Sequence, residues 1–93
     1  MAWLLVRHKV RDFAVWKEVF ESHSEARAAL GCKGGRILRS LDDPDDVTVL
    51  LEWESEEGMR AFTARPDLEG TQERAGILGQ VLCLFLGEGE PAR

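Results

Sequence analysis

Residues 77–86 run Ile77-Leu78-Gly79-Gln80-Val81-Leu82-Cys83-Leu84-Phe85-Leu86. Side chains along a strand alternate between two faces. This stretch is apolar on both: Leu78, Leu82, Leu84 and Leu86 fall on one alternation, Ile77, Val81 and Phe85 on the other. Such a strand needs cover on each side. A layer of helices on one face of a sheet supplies only half of that cover.

Working outward, residues 2–10 form a second apolar strand. Leu4, Val6, His8 and Val10 share one face, and Trp3, Leu5, Arg7 and Lys9 the other. Asp12 is a suitable N-cap for a helix running to about Leu30. Its apolar stripe holds Phe13, Trp16, Val19, Phe20, His23, Ala26, Arg27 and Leu30. Gly31 stops it. Residues 33–41 and 46–54 read as a hairpin around the turn Asp42-Asp43-Pro44-Asp45. Val47, Val49, Leu51 and Trp53 lie on one face of its second strand. Ser55 caps another helix, Pro66 interrupts it, and a short third helix ends before Gly76. Gly34-Gly35, inside a strand, suggests a bulge or a close backbone approach.

The order β-α-β-β-α-β predicts an α+β, ferredoxin-like, four-stranded antiparallel sheet with its helices on one face. Residues 1–87 form this single domain, and residues 88–93 a flexible tail. Trp3, Leu5 and Leu50 join the even-numbered leucines of the last strand on the face the helices leave bare. Two copies packed sheet to sheet would cover it, so a homodimer is expected.

The chain has 93 residues and a net charge of −5. A phosphate backbone would repel it on average, so no nucleic-acid partner is expected. No apolar run approaches the roughly 20 residues of a membrane span. In the opening residues the charges follow the apolar stretch, the reverse of a signal peptide. These features predict a cytoplasmic protein without a membrane partner. Cys32 and Cys83 are far apart and form no CxxC pair, which predicts two reduced thiols.

The segments Val6-Arg7-His8-Lys9-Val10-Arg11-Asp12-Phe13 and Trp16-Lys17-xx-Phe20-xx-His23 resemble the opening of small bacterial proteins related to antibiotic biosynthesis monooxygenases, in the dimeric α/β-barrel superfamily. Gly34-Gly35-Arg36-Ile37-Leu38-Arg39-Ser40, Asp42-Asp43-Pro44, Leu51-Glu52-Trp53-Glu54 and Glu73-Arg74-Ala75-Gly76 extend the resemblance over about residues 3–87. The resemblance implies a dimeric barrel. It also implies one of several activities: cofactor-independent oxidation of polyphenolic aromatics, haem degradation, or polyketide cyclisation or isomerisation. Haem-degrading relatives use an Asn on the first strand, a Trp ending the third and a His on the second helix. Trp53 matches the Trp; the other two positions lack the required residue, so haem degradation is not carried over.

His23 and Trp16 sit at the centre of the first helix's stripe, and Arg27 lies one turn beyond His23. A helix serving only as a lid on a core would place Leu or Ile there. Arg27 must find a carboxylate, a ligand or water, or else snorkel to the surface. His23 would otherwise be a core histidine bonded to backbone, and Trp16 and Trp53 plain core packing. His8 shares the strand face expected to meet the helices, so both imidazoles point into one space with Trp16, Phe20 and Trp53. Such a space suits a flat aromatic or polyketide-like molecule. The candidate catalytic residues are His23 and His8, with Trp16, Arg27, Trp53 and Phe20 as substrate-binding residues. No cofactor and no metal is expected. Two histidines and a carboxylate could form an iron triad, but no short-spaced ligand motif supports one. Glu52 and Glu54 are expected to balance Arg7 and Lys9 across the sheet. The leading reading is a small-molecule enzyme of monooxygenase or cyclase type. The competing one is a non-catalytic effector-binding or structural dimer with a vestigial pocket.

Overall fold

The computed structural model describes residues 1–92. Strands β1 (Ala2–Val10), β2 (Cys32–Arg39), β3 (Asp46–Trp53) and β4 (Ile77–Leu86) form one antiparallel sheet in the order β2-β3-β1-β4. Helices α1 (Phe13–Ser22), α2 (Ser24–Ala29), α3 (Glu56–Thr63) and α4 (Leu68–Ala75) cover one face. This is the expected ferredoxin-like arrangement. Residues 87–92 form no helix or strand, and Arg93, part of the expected tail 88–93, lies outside the described residues.

The register explains the two faces. Leu4 opposes Leu51, Val6 opposes Val49, and His8 opposes Val47. All six point at the helices. Trp53, Leu4, Met59, Val10 and Val47 are almost wholly enclosed. The opposite face carries Trp3, Leu5, Leu38, Leu50, Leu82, Leu84 and Leu86, with Leu82 still 48% exposed. Among the described residues nothing covers this side.

The first helix departs from expectation. It breaks at His23 into α1 and α2. The cause is local competition for carbonyl groups. The Val19 carbonyl accepts from the Ser22 hydroxyl and contacts His23 Nδ1 at 2.9 Å. The His23 backbone N–H turns instead to Phe20 O at 3.2 Å. That oxygen also accepts from Arg27 Nη1 at 2.8 Å. Side chains thus take acceptors that a continuous helix would give to its own N–H groups. Other ends follow the sequence. Asp12 Oδ1 accepts from the Ala14 and Val15 amides, and Ser55 Oγ from Gly58.

Both roles suggested for Gly34-Gly35 occur. The β2–β3 register shifts between Cys32 and Gly34, where Gly34 has φ +100°. A Cβ on Gly35 would lie 1.8 Å from the Leu50 carbonyl oxygen.

One charge expectation is corrected. Arg7 does not meet Glu52 or Glu54. Its Nε and Nη2 donate to Asp46 at 3.0 and 2.7 Å, and Lys9 pairs with Asp43 at 3.2 Å. The antiparallel register puts Glu52 opposite Trp3, and Thr48 opposite Arg7 one diagonal step from Asp46. Hydrogen bonds from Arg7 hold the Asp46 carboxyl below its ordinary range.

Candidate functional site

Between the sheet and the helices lies a cavity of about 400 Å³. That size falls within the range of small-molecule sites, about 300–1,000 Å³. The sheet contributes Leu4, Val6 and His8 from β1, Val49 and Leu51 from β3, and Ile77, Val81, Cys83 and Phe85 from β4. The helical layer contributes Trp16, Phe20, His23 and Arg27 on one side, and Phe62, Arg65, Thr71 and Gln72 on the other. Alternation on β4 thus serves two purposes. Val81, Cys83 and Phe85 line the cavity while Leu82, Leu84 and Leu86 form the bare face.

Five of the six residues singled out from sequence meet here: His8, Trp16, Phe20, His23 and Arg27. Trp53 does not. It is 0% exposed, packs on Phe62 with ring centroids 5.5 Å apart, and is absent from the lining. Its position on the helix-facing side was correct, but it sits at the packed end of that space.

The aromatic wall is continuous. His8 and Trp16 have centroids 5.6 Å apart, and Trp16 stacks on Phe20 at 5.1 Å with planes 15° apart. The Arg27 guanidinium carbon lies 3.9 Å above the Phe20 ring. Burial is the main cause that lowers the proton affinity of His8, which favours a neutral imidazole. Its Nδ1 is enclosed and has no hydrogen-bond partner. His23 differs. Because the Ser22 hydroxyl donates to the Val19 carbonyl, the consistent assignment has His23 Nδ1–H donating to that same oxygen. In the neutral ring this leaves Nε2 as the acceptor.

Arg27 does not snorkel. It is only 7% exposed, and its side chain makes a single hydrogen bond, to the Phe20 carbonyl. Desolvation lowers its proton affinity, and the nearby Arg65 charge adds to the effect. A buried guanidinium without a countercharge costs several kcal/mol. Arg65 was not anticipated. It follows α3 directly, and the neighbouring Pro66 drew attention to chain breaking rather than to the side chain before it. The Arg65 guanidinium stacks 4.1 Å from the centre of Phe62. Among the described residues, no three His, Cys, Asp or Glu side chains gather as a metal site. No helix is long and apolar enough to cross a membrane.

The sequence pattern of the antibiotic biosynthesis monooxygenase family matches residues 13–74, from the start of α1 into α4. The chain belongs to that family. Solved structures share its fold across nearly the whole length. A cofactor-independent oxygenase from Streptomyces nogalater, SnoaB, superposes with a TM-score of 0.77 at 15% identity, covering 97% of this chain and 94% of that one. A Bordetella bronchiseptica chain named as a candidate family member gives 0.76 at 15% identity, covering 96% and 97%. The Mycobacterium tuberculosis protein Rv0793 gives 0.72 at 13% identity, covering 99% and 98%. No curated protein matches the chain in sequence.

Proposed function

We propose that this chain is a homodimeric, cofactor-independent monooxygenase acting on a flat phenolic compound of aromatic or polyketide type. One observation carries the reading: two imidazoles and a stacked aromatic wall share one apolar cavity of about 400 Å³. Membership of the family and the likeness to an oxygenase fold support it. The rings of Trp16 and Phe20 hold the substrate plane. His23 Nε2 takes the phenolic proton, with a neutral His8 in the same cavity wall. The electron-rich anion then reacts with oxygen. A ring CH2 of its keto tautomer becomes a carbonyl. One oxygen atom stays on the substrate, and the other leaves as water with the two hydrogens.

The bare leucine-rich face is covered by a second copy of the chain. Two such sheets packed together would close each other's second side. Cys32 and Cys83 are both free thiols, in keeping with action in the reducing cytoplasm.

The test is oxygen uptake with fused-ring phenols, wild type against His23→Ala and His8→Ala. Loss of turnover with retained binding and retained dimer supports the reading. Uptake unchanged by either substitution removes both histidines from the chemistry. Binding by the wild type with no uptake above the enzyme-free rate favours a non-catalytic effector module.

A further inference from the structure

The cavity has an uneven charge. Arg27 and Arg65 both line it, His8 and His23 join them, and no Asp or Glu contributes to its wall. The protein as a whole is acidic, at −5. Its acids therefore lie outside the wall; Asp67 pairs with Arg65, and the Glu21 charge acts on Arg27 without a salt bridge. Arg27 has no carboxylate partner among the described residues. Arg65 approaches Asp67 at 3.4 Å, but that side chain is 64% exposed, and Arg65 Nε is enclosed without a hydrogen bond. Each guanidinium lies over a phenylalanine ring, Phe20 or Phe62, so the faces are occupied while most N–H donors stay unused. Arg27 comes from α2, and Arg65 from the link between α3 and α4.

We infer that Arg27 and Arg65 form a clamp for a carboxylate, so that this cavity takes a flat aromatic acid rather than a neutral ring compound. Planar guanidinium groups match carboxylate oxygens in geometry and charge. The ring system lies against Trp16 and Phe20, and the acid group reaches the arginines where the Phe20 ring ends. The inference rests on the proposed function only for the reaction; the binding claim stands by itself.

The probes are naphthoate, its carboxamide and naphthol, titrated into the full-length protein with tryptophan fluorescence as readout. The acid is expected to bind at least about tenfold more tightly than the amide, an advantage that shrinks with added salt. Arg27→Met and Arg65→Met are each expected to bring acid and amide to parity while leaving the amide's affinity within about threefold of wild type. A second readout separates recognition from structure. Arg27→Met should raise the melting temperature of the free protein, since it removes an uncompensated buried charge. A purely structural Arg27 would lower it. Equal binding of acid and amide by the wild type overturns the clamp, as does an unchanged acid preference in both variants. Tightest binding of naphthol overturns it in favour of a phenolate site. Acid binding without oxygen uptake from any phenolic acid leaves the clamp standing and defeats the oxygenase reading. Uptake with neutral phenols alone does the reverse.

Discussion

Two tryptophans fill the space between the sheet and the helices, one from each side. Trp53, at the end of β3, is sealed against Phe62 and beside Met59 in a solid core. Trp16, on α1, is nearly as buried at 2% exposed, yet it borders a cavity and stacks between His8 and Phe20. Burial alone does not distinguish a structural aromatic from a site aromatic. The neighbours do. Trp53 packs on Phe62 within the apolar cluster, with its indole Nε1 enclosed and without a hydrogen-bond partner. Around Trp16 the layer contains an imidazole without a partner, a helix break and an unpaired guanidinium.

Breaking the packed end should have the largest effect. Trp53→Ala is expected to destabilise the fold by about 3–5 kcal/mol, measured by denaturant unfolding. The bare sheet face makes a second comparison with the covered one. Leu82→Glu would bury an unpaired charge in the proposed dimer, weakening association by about 3 kcal/mol, roughly a hundredfold. Sedimentation should then show a species of one chain, 10.4 kDa, where the wild type shows two. A wild-type monomer at micromolar concentration would defeat the pairing of sheets. Trp16→Ala should cost less than Trp53→Ala, about 2–3 kcal/mol, since part of its environment is already open space. An equal or larger loss at Trp16 would erase the distinction between the two ends.

The smallest effect concerns His8 and acid. Burial depresses its folded-state proton affinity below the ordinary value of 6.5. The unfolded chain therefore binds a proton first as pH falls below that value, and stability drops until the folded form is protonated too. Above the unfolded value both states are neutral and the contribution is constant. His8→Leu should flatten this acid limb in unfolding curves collected from about pH 8 to pH 5. A limb of unchanged slope would assign it to another group.

Much of this was legible in the chain because alternation is a strict rule. Leu4, Val6 and His8 could only share a face, and so could Trp3 and Leu5. The same rule placed Trp53 on the helix-facing side, but it carries no information about distance along the sheet. Only the seating of α3, with Phe62 over Trp53, decides which end is filled. The break at His23 was hidden for a different reason. A 100° periodicity assumes that each carbonyl serves the backbone, whereas Ser22, His23 and Arg27 compete for Val19 and Phe20. The run Ser22-His23-Ser24, three polar groups able to bond to backbone, was the available signal. Arg65 carried no comparable mark, because a residue between a helix end and a proline has no periodic context. The mispairing of Arg7 and Lys9 with Glu52 and Glu54 came from knowing the face without knowing the register.

The alternation of β4 has one more consequence. Its residues belong in turn to the cavity wall and to the bare face, so one strand carries both surfaces. Any free energy that fixes β4 against a second subunit also fixes the wall that a ligand meets. Such coupling is reciprocal. Ligand should lower the dissociation constant between subunits, and dilution towards monomer should weaken ligand binding by the same factor. The chain would then report its own concentration through its affinity for a small molecule.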